Sequence, residues 1–171
     1  MRIRMLVGVA LVAGVAVGSA CASLGLGDVV QAPRFSAAGT QNARLDYIGP
    51  SMNNPLGAAR IRLYARVENP NPFGLTLANL AGNLFLQSTE AAQVSLPLGL
   101  PMLANGDTIV PIDLTIGLDD VPGLVNVVRN ALDTGTLDYR LNGTVGVDAG
   151  ALGTPTFGPM NLMEGSVRVF D

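Results

Sequence analysis

Few side chains in this sequence could move a proton, hold a metal or attack a carbonyl. The 171 residues contain one cysteine, Cys21, and no histidine, and all ten basic residues are arginine. Without histidine there is no Ser-His-Asp or Cys-His arrangement, and no side chain that titrates unperturbed near neutrality. Without lysine there is no Schiff base and no ammonium to meet a phosphate. Gly143 and Gly146 fall in no G-x-x-x-x-G-K-[ST] loop. Zinc would find only carboxylates, a set it rarely uses alone. Calcium could draw on Asp119 and Asp120, or on Asp148 with nearby carbonyls. No EF-hand spacing accompanies them, and helix capping accounts for the first pair. Two carboxylates could in principle serve as acid and base. Most acidic residues here, however, alternate with apolar ones, which makes them solvated surface. No catalytic residue, cofactor or metal site is expected, and the chain reads as a non-enzyme. A pocket of converging carboxylates with strongly raised pKa values would reopen that reading.

The bulk composition sets further bounds. The chain is apolar, with 49% hydrophobic and 13% charged residues and a mean hydropathy of +0.40. Tryptophan, one of the stronger recognition anchors, is absent. The net charge of −3 excludes the basic footprint that nucleic acid requires. One cysteine excludes an internal disulfide. Twenty-one glycines and 11 prolines suit a fold with many turns.

Part of the apolar excess lies in "MRIRMLVGVALVAGVAVGSACAS". Arg2 and Arg4 precede an apolar run from Met5 to Val17, and Gly18, Ser19 and Ala20 lead to Cys21. That order is the pattern of a secretory signal, and the run is shorter than the roughly 20 residues of a spanning helix. The lone cysteine stands at the cleavage point, and "VGSAC" resembles a bacterial lipoprotein box, although Gly18 stands where that box usually has leucine. The resemblance implies residues 1–20 as signal peptide, an acylated Cys21 as the first mature residue, and residues 21–33 as lipidated cysteine and tether. Ala22 in place of aspartate leans toward the periplasmic face of the outer membrane. Two alternatives stay open. Ala20-Cys21-Ala22 also fits an A-x-A site that would release a soluble secreted or periplasmic product, and an uncleaved anchor is the third reading. Losing Arg2 and Arg4 leaves eight arginines against 13 acidic residues. Such a body offers anionic lipid heads no attraction, so the lipid on Cys21, not the protein surface, is expected to anchor it.

Beyond residue 33 a two-residue period dominates. In "IRLYARVE" Ile61, Leu63, Ala65 and Val67 face one way, and Arg62, Tyr64, Arg66 and Glu68 the other. "VPIDLTIGL" and "LDYRLNGTVGVD" repeat the pattern. One dry and one wet face per strand is the habit of antiparallel sheets. Weaker strands are expected near 34–38, 43–48, 75–87, 92–98 and 164–170. Leu75 and Leu77 are odd-numbered whereas Leu80, Leu84 and Leu86 are even-numbered, which predicts a bulge near Ala78–Asn79. "LDDVPGLVNVVRNALDTG" has the helical period instead, with Asp119 or Asp120 as N-cap, Pro122 in the first turn and Gly135 as C-terminal cap. The expectation for residues 34–171 is a mainly β domain: an antiparallel β-sandwich of about seven strands, immunoglobulin or fibronectin-III-like, with one short amphipathic helix.

The first of those strands runs into Asn69-Pro70-Asn71-Pro72. Each proline fixes its φ, removes a ladder donor and keeps the preceding residue extended. Each asparagine can bond nearby backbone. The four residues therefore read as a rigid corner with Phe73 ready to tuck into the core, and not as a binding site. "VENPNPFGLTLANLAGNLFL" resembles the hallmark of the type 2 late embryogenesis abundant family, also called the WHy domain. "LPMLANGDTIVPIDLTIGL" and "LDYRLNGTVGVD" resemble the turn and strands that follow it. The resemblance implies a β-sandwich with one helix and no catalytic or cofactor residues. It also implies a link to desiccation and other stress. The partners so implied are a membrane, through the N-terminal lipid, and other envelope proteins. An envelope binding or assembly module, carrying a lipid or other apolar ligand in a groove between the sheets or beside the helix, is the alternative.

Overall fold

A computed structural model of the chain describes residues 29–39, 43–121 and 123–170. The alternating segments form strands: β1 (Arg34–Ala37), β2 (Arg44–Ile48), β3 (Ala58–Glu68), β4 (Leu75–Leu86), β5 (Thr89–Met102), β6 (Asp107–Gly117), β7 (Thr136–Asp148) and β8 (Thr156–Phe170). One helix, α1 (Leu124–Thr134), separates β6 from β7. Their dry faces are those the sequence marks. Ile61, Leu63, Ala65 and Val67 of β3, Val110 and Ile112 of β6, and Leu137, Leu141 and Val145 of β7 all enter one core. Each large aliphatic side chain so buried contributes about 1.5–3 kcal/mol.

The strands make one sheet that folds over on itself into a sandwich-like body. β3 pairs along its whole length with β6 on one edge. Its other edge is shared end to end by β1, opposite Ala65–Glu68, and β2, opposite Ala58–Arg62. The second layer runs β8, β7, β4, β5 with antiparallel pairing throughout. The layers join where β2 meets the end of β8, and there the pairing is parallel: Arg44, Leu45 and Asp46 lie beside Arg168, Val169 and Phe170. A wholly antiparallel sandwich is thus corrected by three rungs of a mixed sheet. The second and last strands reach that seam from opposite ends of the described chain and run the same way.

Other departures are local. The bulge falls where the change of parity requires it, between Leu77 and Asn79, in both ladders of β4. β8 begins at Thr156 and not near 164, because Phe157 to Asn161 continue the ladder with β7 through two register shifts. The N-cap of α1 is Gly123, with φ 85°, and no side chain caps it. Asp119 instead accepts the backbone N–H of Leu56 at 3.1 Å and so fastens the β2–β3 loop to the turn before the helix. Gly135 caps the C-terminus as expected, with φ 75° and its N–H donated to the Ala131 carbonyl. Met163 fills core, whereas Met160 is only half-buried at its margin. Residues 1–28, Cys21 among them, and Pro122 lie outside the described residues.

Candidate functional site

The Asn-Pro-Asn-Pro corner lies inside the protein. Asn69 and Asn71 are its two buried polar side chains among the described residues, 2% and 0% exposed. Burying an amide without partners costs several kcal/mol, so each polar atom must be met. The Asn69 amide donates to the carbonyls of Phe73 and Leu103, both at 2.9 Å. Its oxygen accepts the backbone N–H of Asn71 at 3.0 Å and that residue's side-chain amide at 2.9 Å. Asn71 then treats Gln31 as a neighbouring strand would. Its oxygen accepts the Gln31 N–H at 2.8 Å while its amide donates to the Gln31 carbonyl at 2.9 Å. The backbone adds Asn69 N–H to Gly106 and Asn105 N–H to Asn71, at 2.8 and 3.0 Å.

Three segments distant in sequence are therefore clasped: the arm at residue 31, the corner, and the 103–106 turn. Pro70 and Pro72 have no N–H, so the corner needs fewer partners than four ordinary residues would. Phe73 packs half-buried against the core. Of the residues singled out in the sequence, Asn69, Pro70, Asn71 and Pro72 make this corner, Asp119 and Asp148 bond backbone elsewhere, and Cys21 lies outside the described residues. What the sequence does not disclose is what the corner grips. The partners Gln31 and Leu103 lie 40 and 34 positions away, and no local pattern marks them.

No cluster of metal-ligating side chains occurs among the described residues. Asp148 accepts the N–H of Gly150 at 2.8 Å and serves a turn. Several carboxylates meet arginines across the wet faces: Asp113 with Arg62, Asp107 with Arg66, Asp46 with Arg44, and Glu164 with Arg140. The hydrogen bonds and charges of Asp113 and Asp107 raise the pKa of Arg62 and Arg66. Tyr139 is shifted upward by burial.

Two hollows flank the first layer. Beside the corner an open one of about 380 Å³ is lined by Gln31, Arg34, Glu68, Asn105 and Asp107. At the other end of the β3–β6 ladder, roughly 33 Å away at about 3.3 Å per residue, an apolar groove of about 360 Å³ lies along α1. Tyr47, Leu56, Leu118, Val125, Leu132 and Arg129 line it. No helix among the described residues is long and apolar enough to cross a membrane.

Fold and corner together define a mainly β, sandwich-like domain with one helix, locked by a buried asparagine clasp. The chain belongs to the late embryogenesis abundant protein family, whose sequence model matches residues 64–162. Solved structures resemble it to different degrees, and the first of those that follow is similar in fold. The solution structure of AT1g01470 from Arabidopsis thaliana shares 15% identity, with 83% of this chain and 85% of that one covered and a TM-score of 0.60. The solution structure of the LEA protein At2g46140.1 is also 15% identical, over 80% of this chain and 71% of that one, with a TM-score of 0.47. A protein from Archaeoglobus fulgidus is 11% identical over 81% and 96%, at a TM-score of 0.41. No curated protein matches the sequence.

Proposed function

We propose that this protein is a non-enzymatic stress protein of the cell envelope, held by lipid on Cys21. In this reading it limits damage during water loss by contact with other proteins or with membrane. The observation that carries the reading is membership of the late embryogenesis abundant family. The clasp supports it. Asn71 fixes residue 31 to the end of the sandwich, so a tether starting at Cys21 enters the body at one defined place. Acyl chains there, at about 0.8 kcal/mol per buried CH₂, would hold the domain durably at a bilayer. Intact mass of the protein extracted from membranes tests the anchor. Cys21 as first residue, bearing acyl chains, is expected, and an unmodified chain cut after Ala22 would remove the anchor from the reading. Drying a labile enzyme with and without the protein tests the action. Recovery above that given by an inert protein of equal mass is expected, and equal recovery would refute protection.

The apolar groove along α1 favours a second reading, a module that carries an apolar ligand. Native mass spectrometry separates the two, since a carrier would retain a lipid at one-to-one stoichiometry.

A further inference from the structure

Charge on this protein is sorted by face. The outward side of β6, β3, β1, β2 and the end of β8 bears Arg34, Arg44, Arg60, Arg62, Arg66 and Arg168, against Asp46, Glu68, Asp107 and Asp113. The other described residues hold two arginines against seven carboxylates. An acidic total therefore hides a face on which arginine predominates.

The arrangement on that face is costly by itself. Arg62 pairs with Arg44, and Arg44 with Arg168, so three arginines lie in one cross-strand row. Like charges directly opposite one another destabilise a sheet. Asp113 and Asp46 offset the first two. Among the described residues, Arg34, Arg60 and Arg168 have no ion-pair partner. Beside Arg168 the break between β1 and β2 leaves a dent of about 210 Å³, lined also by Tyr64, Tyr139 and Ser166. It offers a guanidinium and hydroxyl donors together, the chemistry that a phosphate oxygen accepts.

We propose that this face docks on the phosphate headgroups of an anionic membrane, with one headgroup phosphate seated in the dent at Arg168. The occupant follows from charge complementarity and from the tether. β1 lies on this face and starts at Arg34, and the 12 residues between Cys21 and residue 34 can span at most about 40 Å. The lipid on Cys21 would thus keep these arginines within reach of the bilayer surface. The inference deepens the membrane half of the proposed function and rests on it, but its test does not need acylation.

The test uses the full chain with Cys21→Ser, Arg2→Gln and Arg4→Gln, floated with vesicles of phosphatidylcholine alone or mixed with phosphatidylglycerol. Insertion of the apolar residues 5–17 would be common to both compositions, so the readout is the gain caused by the anionic lipid. Arg44→Gln with Arg168→Gln is expected to reduce that gain about tenfold or more, given the usual contribution of each arginine near an anionic surface. Arg129→Gln with Arg140→Gln removes the same charge elsewhere and is expected to leave the gain intact. Arg34→Gln with Arg60→Gln, on the same face but off the row, repeats the test should the first pair fail to fold. The proposal is overturned by no gain with the parent chain, or by equal loss in all pairs. Retention on an acidic polypeptide but not on anionic vesicles would also overturn it, by giving the face to a protein partner.

Discussion

At the scale of single residues the corner repays a close count of donors and acceptors. Asn69 spends both amide hydrogens on carbonyls and its oxygen on two N–H groups. Asn69→Ala strands all four partners in a buried place. Each unmet group costs about 1–3 kcal/mol before relaxation, so a loss of about 3 kcal/mol in a urea titration is expected. Asn69→Asp is expected to do no better, because it keeps the acceptor and sets a carboxylate against the carbonyls of Phe73 and Leu103. Tyr139 gives a prediction in pH. Burial raises its pKa above the usual 10.0, so the folded state holds the phenolic proton more tightly than the unfolded chain does. Its contribution is complete below the unfolded pKa and is lost as pH rises through the folded one. Thermal melts taken above pH 10 should show an alkaline decline, and Tyr139→Phe should make that decline smaller. A decline unchanged in the phenylalanine variant would place its origin elsewhere.

Elements explain which features could be foreseen from sequence. β3, β6 and β7 each alternate cleanly over many residues, so their existence, faces and core members were legible. So was the bulge at Ala78, since the leucines of β4 change parity there. The asparagine corner was legible as a corner, because proline and asparagine act on their own backbone. Features set by distant partners were not. The start of α1 is one case. Asp119 looks like a cap, yet it is taken by Leu56, 63 positions away, and Gly123 turns the chain into the helix. The parallel seam is another, since β2 is five residues long and nothing in it names β8. The arginine row draws single residues from three strands, so no spacing reveals it. A similar long-range dependence governs Gly82 and Gly143, which face each other across β4 and β7. A Cβ on Gly143 would stand 2.7 Å from the Gly82 Cα and crowd the Ala81 carbonyl. Both are backbone atoms that cannot rotate away. Gly143→Ala should therefore cost about 2 kcal/mol, in the range of overpacked cores, whereas Gly150→Ala, where no atom lies within 4 Å of the added Cβ, should cost only the strain of its φ of 62°. Melting the two variants side by side checks the difference.

For the molecule as a whole, the decisive contact joins its two ends. The family's sequence model spans residues 64–162, but the physical unit is larger. Within 64–162, β6 keeps only the Tyr64–Glu68 end of its ladder, which otherwise runs from Ala58 to Glu68. β1 and β2 are missing altogether, and with them the Gln31 that satisfies Asn71. β8 loses Val167, a fully buried side chain paired with Leu137, and the three rungs that bind it to β2. Without that seam the two layers are joined only by side-chain packing, by the connecting segments and by what remains of the corner clasp on the 103–106 turn, and the shared core loses Ile61 and Leu63. Burial of this kind is the largest favourable contribution to folding, and net stability is a small remainder of opposing sums. A truncated chain of residues 64–162 should therefore show no cooperative urea transition and little near-ultraviolet circular dichroism. A chain of residues 29–171 should show both, in a single step. Cooperative unfolding of the shorter chain would mean that the seam between β2 and β8 is dispensable, and that packing and the remaining corner contacts suffice to hold the layers.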